Sequence, residues 1–207
     1  MAAPRAVKIG GGIVALVVLV GGSFLAGQSA VDSPKQPAAN ESTATTTTVL
    51  PAAELVEFRD ETNGWAISYP KSWNRLQPKE AAVALVVAEQ PAEQNTGGSI
   101  LARGLTLAAP VTEGNLAAAK EVTDGIVAGD GIQHITEPKI VSQAGLPGYF
   151  YFYSFNDPAS GQEGVHSHYF LFKGSTMISF VFQALPKDDF QRLATVFDRV
   201  IATFRIL

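Results

Sequence analysis

The stretch GYFYFYSFND, residues 148–157, decides how the fold is read, because it packs three tyrosines and three phenylalanines into seven consecutive positions. Successive side chains of a β-strand point to opposite faces of the sheet, so Tyr149, Tyr151 and Tyr153 share one face. Phe150, Phe152 and Ser154 point to the other face, which is the better surface for a helix to pack on. The tyrosine face has hydroxyls that need partners, and it either packs under a second cover or forms an exposed aromatic surface.

The segments that follow this strand predict an antiparallel meander. Residues 147–156, 164–173 and 176–184 each have strand character. The turn NDPASGQ joins the first pair and KGS joins the second. Connections this short bring consecutive strands together in antiparallel orientation.

More strands are predicted upstream, where apolar residues alternate or run together. Residues 64–70, GWAISYP, alternate cleanly, and 82–89 and 99–108 are further apolar strands. Residues 132–143 are predicted to be extended, with Pro138 placing them near a sheet edge or at a bulge.

Two helices complete the predicted domain. Residues 115–129 have Asn115 as a candidate N-cap and a modest apolar face of Leu116, Ala119, Val122 and Ile126. From Asp188 onward, a stronger apolar stripe recurs at helical spacing, namely Phe190, Leu193, Ala194, Phe197, Val200, Ile201 and Phe204. A stripe this apolar must be buried against the sheet. The fold class is therefore α+β, an antiparallel β-sheet with helices packed on its faces.

The two ends of this domain carry a family resemblance. FRDETNGWAISYPKSWNRL (58–76) opens it with the pattern GW-x-I-x-YP-x-x-W, and FQRLATVFDRVIATFRI (190–206) closes it. These motifs and the order of elements resemble the PsbP-like domain family, including the actinobacterial LpqN-type envelope proteins. The resemblance implies a central antiparallel sheet between helices. It also implies binding or adaptor roles, at photosynthetic complexes, a small GTPase or cell-envelope partners.

The N-terminus predicts export. Residues 9–31 are uncharged and mostly apolar, which is long enough for a transmembrane anchor. Arg5 and Lys8 precede this segment, so residues 1–8 should stay in the cytoplasm. A cleaved signal peptide is the alternative, and it exports the domain equally. The chain has no cysteine, so the membrane helix would replace the lipid-modified cysteine of the LpqN type.

Residues 32–54 are rich in Ser, Thr, Pro and Ala and are predicted to be a disordered linker. Residues 55–207 then form the folded domain on the far side of the membrane. A net charge of −4 gives no basic surface for nucleic acid. No cofactor is predicted, and the oligomeric state stays open.

Histidines offer the only candidate metal site. His166 and His168 are two apart on a predicted strand, so they share a face and could hold two ligand positions of zinc or copper. A third ligand would come from Glu163, Asp157 or His134. No catalytic set is found: Gly-x-Ser-x-Gly is absent, and Ser167 points away from both histidines. The chain is therefore predicted not to be an enzyme.

The function predicted is that of a membrane-tethered, extracytoplasmic binding or adaptor domain associated with the cell envelope. Its partner would be an envelope protein or a lipid-like ligand. The predicted contact residues are aromatic: Trp65, Trp73, Tyr149, Tyr151 and Tyr153. The alternative is a sensor that binds a small ligand or metal through His166 and His168.

Overall fold

The structure is a computed structural model that describes residues 54–91, 96–129 and 132–207, without the side chains of Gln133 and His134. The predicted anchor, residues 9–31, and all of the predicted linker except Glu54 lie outside the described residues. Within the described ranges, none of the helices has the length and apolar character needed to cross a bilayer.

A small antiparallel sheet holds the two ends of the domain together. Its strand order is β1-β2-β10, and its strands are β1 (Leu55–Asp60), β2 (Trp65–Pro70) and β10 (Arg205–Ile206). Gly64, at φ 69°, makes the tight turn into β2, because glycine adopts this left-handed conformation without a steric penalty. The sequence did not predict this second sheet, because β10 has only two residues and so shows no alternating pattern.

The larger sheet is antiparallel throughout and has the order β3-β4-β5-β9-β8-β6, with β7 also pairing with β8. Its strands are β3 (Asn74–Leu76), β4 (Val83–Ala88), β5 (Gly97–Val111), β6 (Ile132–Ile135), β7 (Lys139–Gln143), β8 (Leu146–Asn156) and β9 (Glu163–Leu185).

Strand β9 folds back on itself near its middle. His166 Nε2 lies 3.0 Å from Gln183 Oε1, although 17 residues of extended strand would span roughly 55 Å. The reversal occurs at Gly174, which has φ 58°. The first half of β9 pairs with β8 and the second half with β5. The predicted pair of strands with a turn at KGS is thus confirmed.

Strands β6 and β7 lie along one edge of this sheet, as Pro138 predicts. Both pair with β8, one on each side of the proline. Proline has no amide hydrogen to donate to a ladder, so the break between the two strands falls there.

Helix α2 (Phe190–Ala202) covers one face of the larger sheet, after a 3₁₀ turn at Lys187–Asp189. Its buried residues are Leu193, Phe197, Val200 and Ile201. They pack with the apolar residues of β2, β4, β5 and β9 in one core cluster. The stripe predicted from helical spacing is confirmed.

Helix α1 (Leu116–Ala128) covers the opposite face. It buries Leu116, Ala119, Thr123 and Val127 against the tyrosines of β8. Val122, predicted to lie on the buried face, is 47% exposed. That prediction was wrong because Thr123, a polar residue, takes the buried position, where a tyrosine hydroxyl satisfies its side chain. Antiparallel sheets with two helices confirm the α+β class.

Candidate functional site

The tyrosine face of β8 is core rather than surface. Tyr149, Tyr151 and Tyr153 are 4%, 0% and 1% exposed. The hydroxyl of Tyr151 lies 2.6 Å from Thr123 Oγ1 and 2.7 Å from Asp124 Oδ1, both on α1. Burial raises the pKa of Tyr151, and the Asp124 carboxylate raises it further. Of the two alternatives for this face, packing under a second helix is the one the structure has.

The predicted aromatic contact surface must therefore be corrected. The three tyrosines are inside the domain, and Trp65 is also fully buried, with its ring 5.3 Å from that of Phe180. Only Trp73 remains partly exposed, and it packs edge-on against Phe197 of α2 at 6.3 Å. Four of the five residues are buried and cannot contact a partner in this conformation. The prediction failed because the local sequence pattern does not show which elements cover these residues.

The two histidines share the α1 side of the sheet, as their spacing predicts. His168 is fully buried, with Tyr153 Oη 3.1 Å from its Nδ1 and Ser179 Oγ 2.7 Å from its Nε2. Burial, and then the charges of Arg103 and His166, hold the pKa of His168 well below its ordinary value. The imidazole is therefore neutral at pH 7 and donates through only one of its nitrogens.

A metal ion at this pair would have to displace an existing hydrogen bond. Both nitrogens of His168 are engaged, and His166 Nε2 lies 3.0 Å from Gln183 Oε1. Two predicted third ligands bond elsewhere: the Asp157 carboxylate accepts from Ser160, and Glu163 pairs with Lys187. Among the described residues, no group of three His, Cys, Asp or Glu is close enough to hold an ion. The metal site stays a prediction.

The phenylalanine face of β8 provides an exposed feature that sequence reasoning missed. Helix α2 lies on this face, as predicted, but it packs over β2 and β9 and leaves β8 largely uncovered. Phe150, Phe152 and Tyr169 consequently remain partly exposed beside the helix. We call the depression between α2 and β8 the aromatic groove.

The aromatic groove has a wide part and a narrow part. The wide part encloses about 490 Å³ and is lined by Phe152, Val165, Lys187, Asp188, Phe190 and Gln191. The narrow part encloses about 250 Å³ and is lined by Phe150, Ser167, Tyr169, Phe182, Phe190, Ala194, Phe197 and Asp198. Phe190 lines both parts, so the two depressions adjoin at its ring.

Ring contacts set the shape of the groove. The rings of Phe152 and Phe190 are 4.9 Å apart, and those of Phe150 and Tyr169 are 4.8 Å apart. These spacings are typical of aromatic rings in direct contact, and the Phe152–Phe190 contact joins β8 to α2. The groove is therefore lined by side chains that pack on one another.

The rim of the groove is acidic. Lys187 is already paired with Glu163. Asp188 and Asp198 are exposed, and neither forms an ion pair within the described ranges. Asp198 and Tyr169 line the same part of the groove, and burial and then the Asp198 carboxylate raise the pKa of Tyr169. An apolar floor with a negative rim favours an apolar ligand flanked by positive charge.

Comparison with solved structures shows the fold. LpqN of Mycobacterium tuberculosis, a protein involved in cell envelope biogenesis, matches with a TM-score of 0.54 and 13% identity over 74% of this chain and 90% of LpqN. The cyanobacterial PsbP (CyanoP) of Synechocystis sp. PCC 6803 matches with a TM-score of 0.51 and 15% identity over 77% of this chain and 96% of CyanoP.

A protein of Bacteroides thetaiotaomicron matches 73% of this chain with a TM-score of 0.52 and 13% identity, and this chain spans 48% of that protein. No family model and no curated protein matches the sequence. The domain thus has a PsbP-like fold, as the resemblance implied, and at these identities the likeness concerns the fold alone.

Proposed function

We propose that this chain is a membrane-tethered, extracytoplasmic binding domain whose aromatic groove holds an apolar segment of a cell-envelope protein. The observation that carries the proposal is the groove itself: Phe150, Phe152, Tyr169 and Phe190 stay partly exposed around two depressions that adjoin at Phe190. Grouped, exposed aromatic side chains are typical of protein-binding sites, where they supply most of the binding energy.

The charges of the rim specify the partner further. Asp188 and Asp198 stand on the α2 side of the groove without ion-pair partners in the described part of the chain. We therefore expect the bound segment to present an aromatic or aliphatic anchor with lysine or arginine beside it. Such charges would steer association and select the partner more than they would add affinity.

The N-terminal segment supports the proposed location. Residues 9–31 would anchor the chain, and Arg5 and Lys8 would keep its start in the cytoplasm. The predicted disordered linker, residues 32–54, would let the domain reach roughly 30 Å from the membrane surface. The likeness to LpqN, an envelope protein, agrees with this placement. The proposal gives the domain no catalytic step.

A lipid-like ligand is the alternative occupant and becomes an outcome of the test. The groove favours a peptide because it is open along β8 and its aromatic residues remain partly in water. An acyl chain gains most where it is fully removed from water.

The test is cross-linked co-purification of the full-length protein from its native membrane. Asp198→Lys inverts the charge of the rim on α2. Glu121→Lys makes the same change at an exposed position on α1, on the opposite side of the sheet. Phe152→Ser removes one aromatic wall of the groove. A chain without residues 55–207 controls for contacts of the anchor and linker.

We expect a defined envelope protein that is captured by the wild type and by Glu121→Lys, and is lost with Asp198→Lys and Phe152→Ser. The identified partner should then bind the purified wild type and Glu121→Lys with similar affinity, and Asp198→Lys and Phe152→Ser more weakly. Capture that is equal in the wild type and the three substituted chains would contradict the proposal. Recovery of lipid instead of protein would contradict it as well.

A further inference from the structure

A polar cluster lies on the α1 side of the sheet, on the face opposite to the aromatic groove. Arg103 of β5 is directly opposite Ser179 in the register of β5 with β9. Residues paired in this way point to the same face, with their Cβ atoms about 5 Å apart. Ser179 in turn lies 2.7 Å from His168 Nε2. The charge of Arg103 lowers the pKa of His168, which agrees with this proximity.

The guanidinium of Arg103 has no acceptor in the described part of the chain. Its Nε is buried and makes no hydrogen bond. No carboxylate of the described residues pairs with it, whereas Arg59, Arg192 and Arg205 each have a glutamate partner. Arg103 as a whole is partly exposed. Its buried Nε–H still lacks an acceptor, which is costly for a charged donor, and a bidentate oxyanion would supply one.

The hydrogen-bond chain through His168 supplies a second donor. The neutral imidazole is a donor at one nitrogen and an acceptor at the other. When Tyr153 donates to Nδ1, the Nε2 hydrogen is donated to Ser179 Oγ. The hydroxyl hydrogen of Ser179 is then available to another acceptor. Ser179 is fully buried, and its hydroxyl is on the same face as Arg103 and opposite it, so an acceptor would have to reach it from the side of the partly exposed arginine.

We propose that Arg103 and Ser179 form a binding site for one oxyanion, the carboxylate or phosphate group of a ligand. The guanidinium gives charge and two parallel N–H donors, and Ser179 gives a hydroxyl donor. His168 and Tyr153 act as positioning residues that orient the serine. The site is distinct from the aromatic groove and does not depend on it, because the sheet separates the two.

The test uses the full-length chain in detergent micelles, labelled with ¹⁵N in arginine and serine. Inorganic phosphate, acetate and chloride are titrated separately at constant ionic strength while the Arg103 Nε–H and Ser179 amide signals are followed. Arg103→Gln removes the charge of the site. Arg75→Gln is the matched control at an exposed arginine. Arg103→Lys keeps the charge but not the fork of donors.

We expect saturable shifts of both signals with phosphate or acetate and none with chloride, at a dissociation constant of about 1 mM or tighter. Affinity should fall at least tenfold in Arg103→Gln, fall less in Arg103→Lys and stay unchanged in Arg75→Gln. A stronger response to phosphate or to acetate identifies the source of the oxyanion. Shifts that do not saturate in the wild type, or that are the same with chloride, would overturn the site.

Discussion

Acidification should destabilise the domain through His168. This side chain is fully buried, and its pKa in the folded protein is well below the ordinary value of 6.5. Between these two values the unfolded chain binds a proton at His168 that the folded chain does not. The stabilisation is therefore complete above about pH 6.5 and is lost as the pH falls below it.

The expected size follows from linkage. Each pH unit in this window removes about 1.4 kcal/mol of unfolding free energy for one such group. Lowering the pH from about 6.5 to about 5 should thus cost about 2 kcal/mol while His168 stays neutral in the folded state. The lowered pKa values of Glu89 and Asp124 act in the same direction, but only below their ordinary values of 4.5 and 3.8.

The assay is urea denaturation at a series of pH values, followed by the fluorescence of Trp65 and Trp73. His168→Gln keeps a polar group near Ser179 and cannot titrate, so the difference between the two pH profiles isolates His168. The wild type should lose about 2 kcal/mol more than the variant between about pH 6.5 and 5. Parallel pH profiles of the wild type and His168→Gln would contradict this prediction. A histidine that is neutral in the folded state makes the wild type lose more stability on acidification than the variant that lacks it.

Three further predictions concern the stability of the domain. Gly148→Ala should destabilise the domain by about 3 kcal/mol or more, because a Cβ there would lie 2.1 Å from the backbone oxygen of Phe170. Gly125→Ala should instead stabilise the domain by about 1 kcal/mol in the same denaturation assay, because alanine favours a helix more than glycine does. A Cβ at this exposed position in the middle of α1 would have no atom within 4 Å. Tyr151→Phe should cost about 1–2 kcal/mol, because its hydroxyl joins Thr123 and Asp124 to the sheet; an unchanged denaturation midpoint would show that α1 is held without that bond.

Much of the architecture could be predicted because its signals are local. The helical stripe of α2 and the turns at Asp157-Pro158 and Gly174 depend on residues close in sequence. Alternation along β8 correctly placed Tyr149, Tyr151 and Tyr153 on the face opposite to Phe150 and Phe152. These features need only the period of an element and the chemistry of a turn.

The candidate sites could not be predicted, because each depends on where distant segments meet. Alternation shows that Phe150 and Phe152 share a face, but not that α2 lies to one side of them. The pairing of Arg103 with Ser179 requires the register between β5 and β9. Long-range placement of this kind also explains why buried Tyr151 was expected to be a contact residue.

Photo-cross-linking in intact cells tests the central proposal most directly. A photoreactive amino acid replaces Gln191, an exposed residue of the groove lining, or Glu113, an exposed residue ahead of α1 on the other side of the sheet. We expect one discrete envelope-protein adduct from position 191, lost on adding Asp198→Lys, and none from position 113. The same adduct from both positions, or none from position 191, would contradict a binding role for the groove.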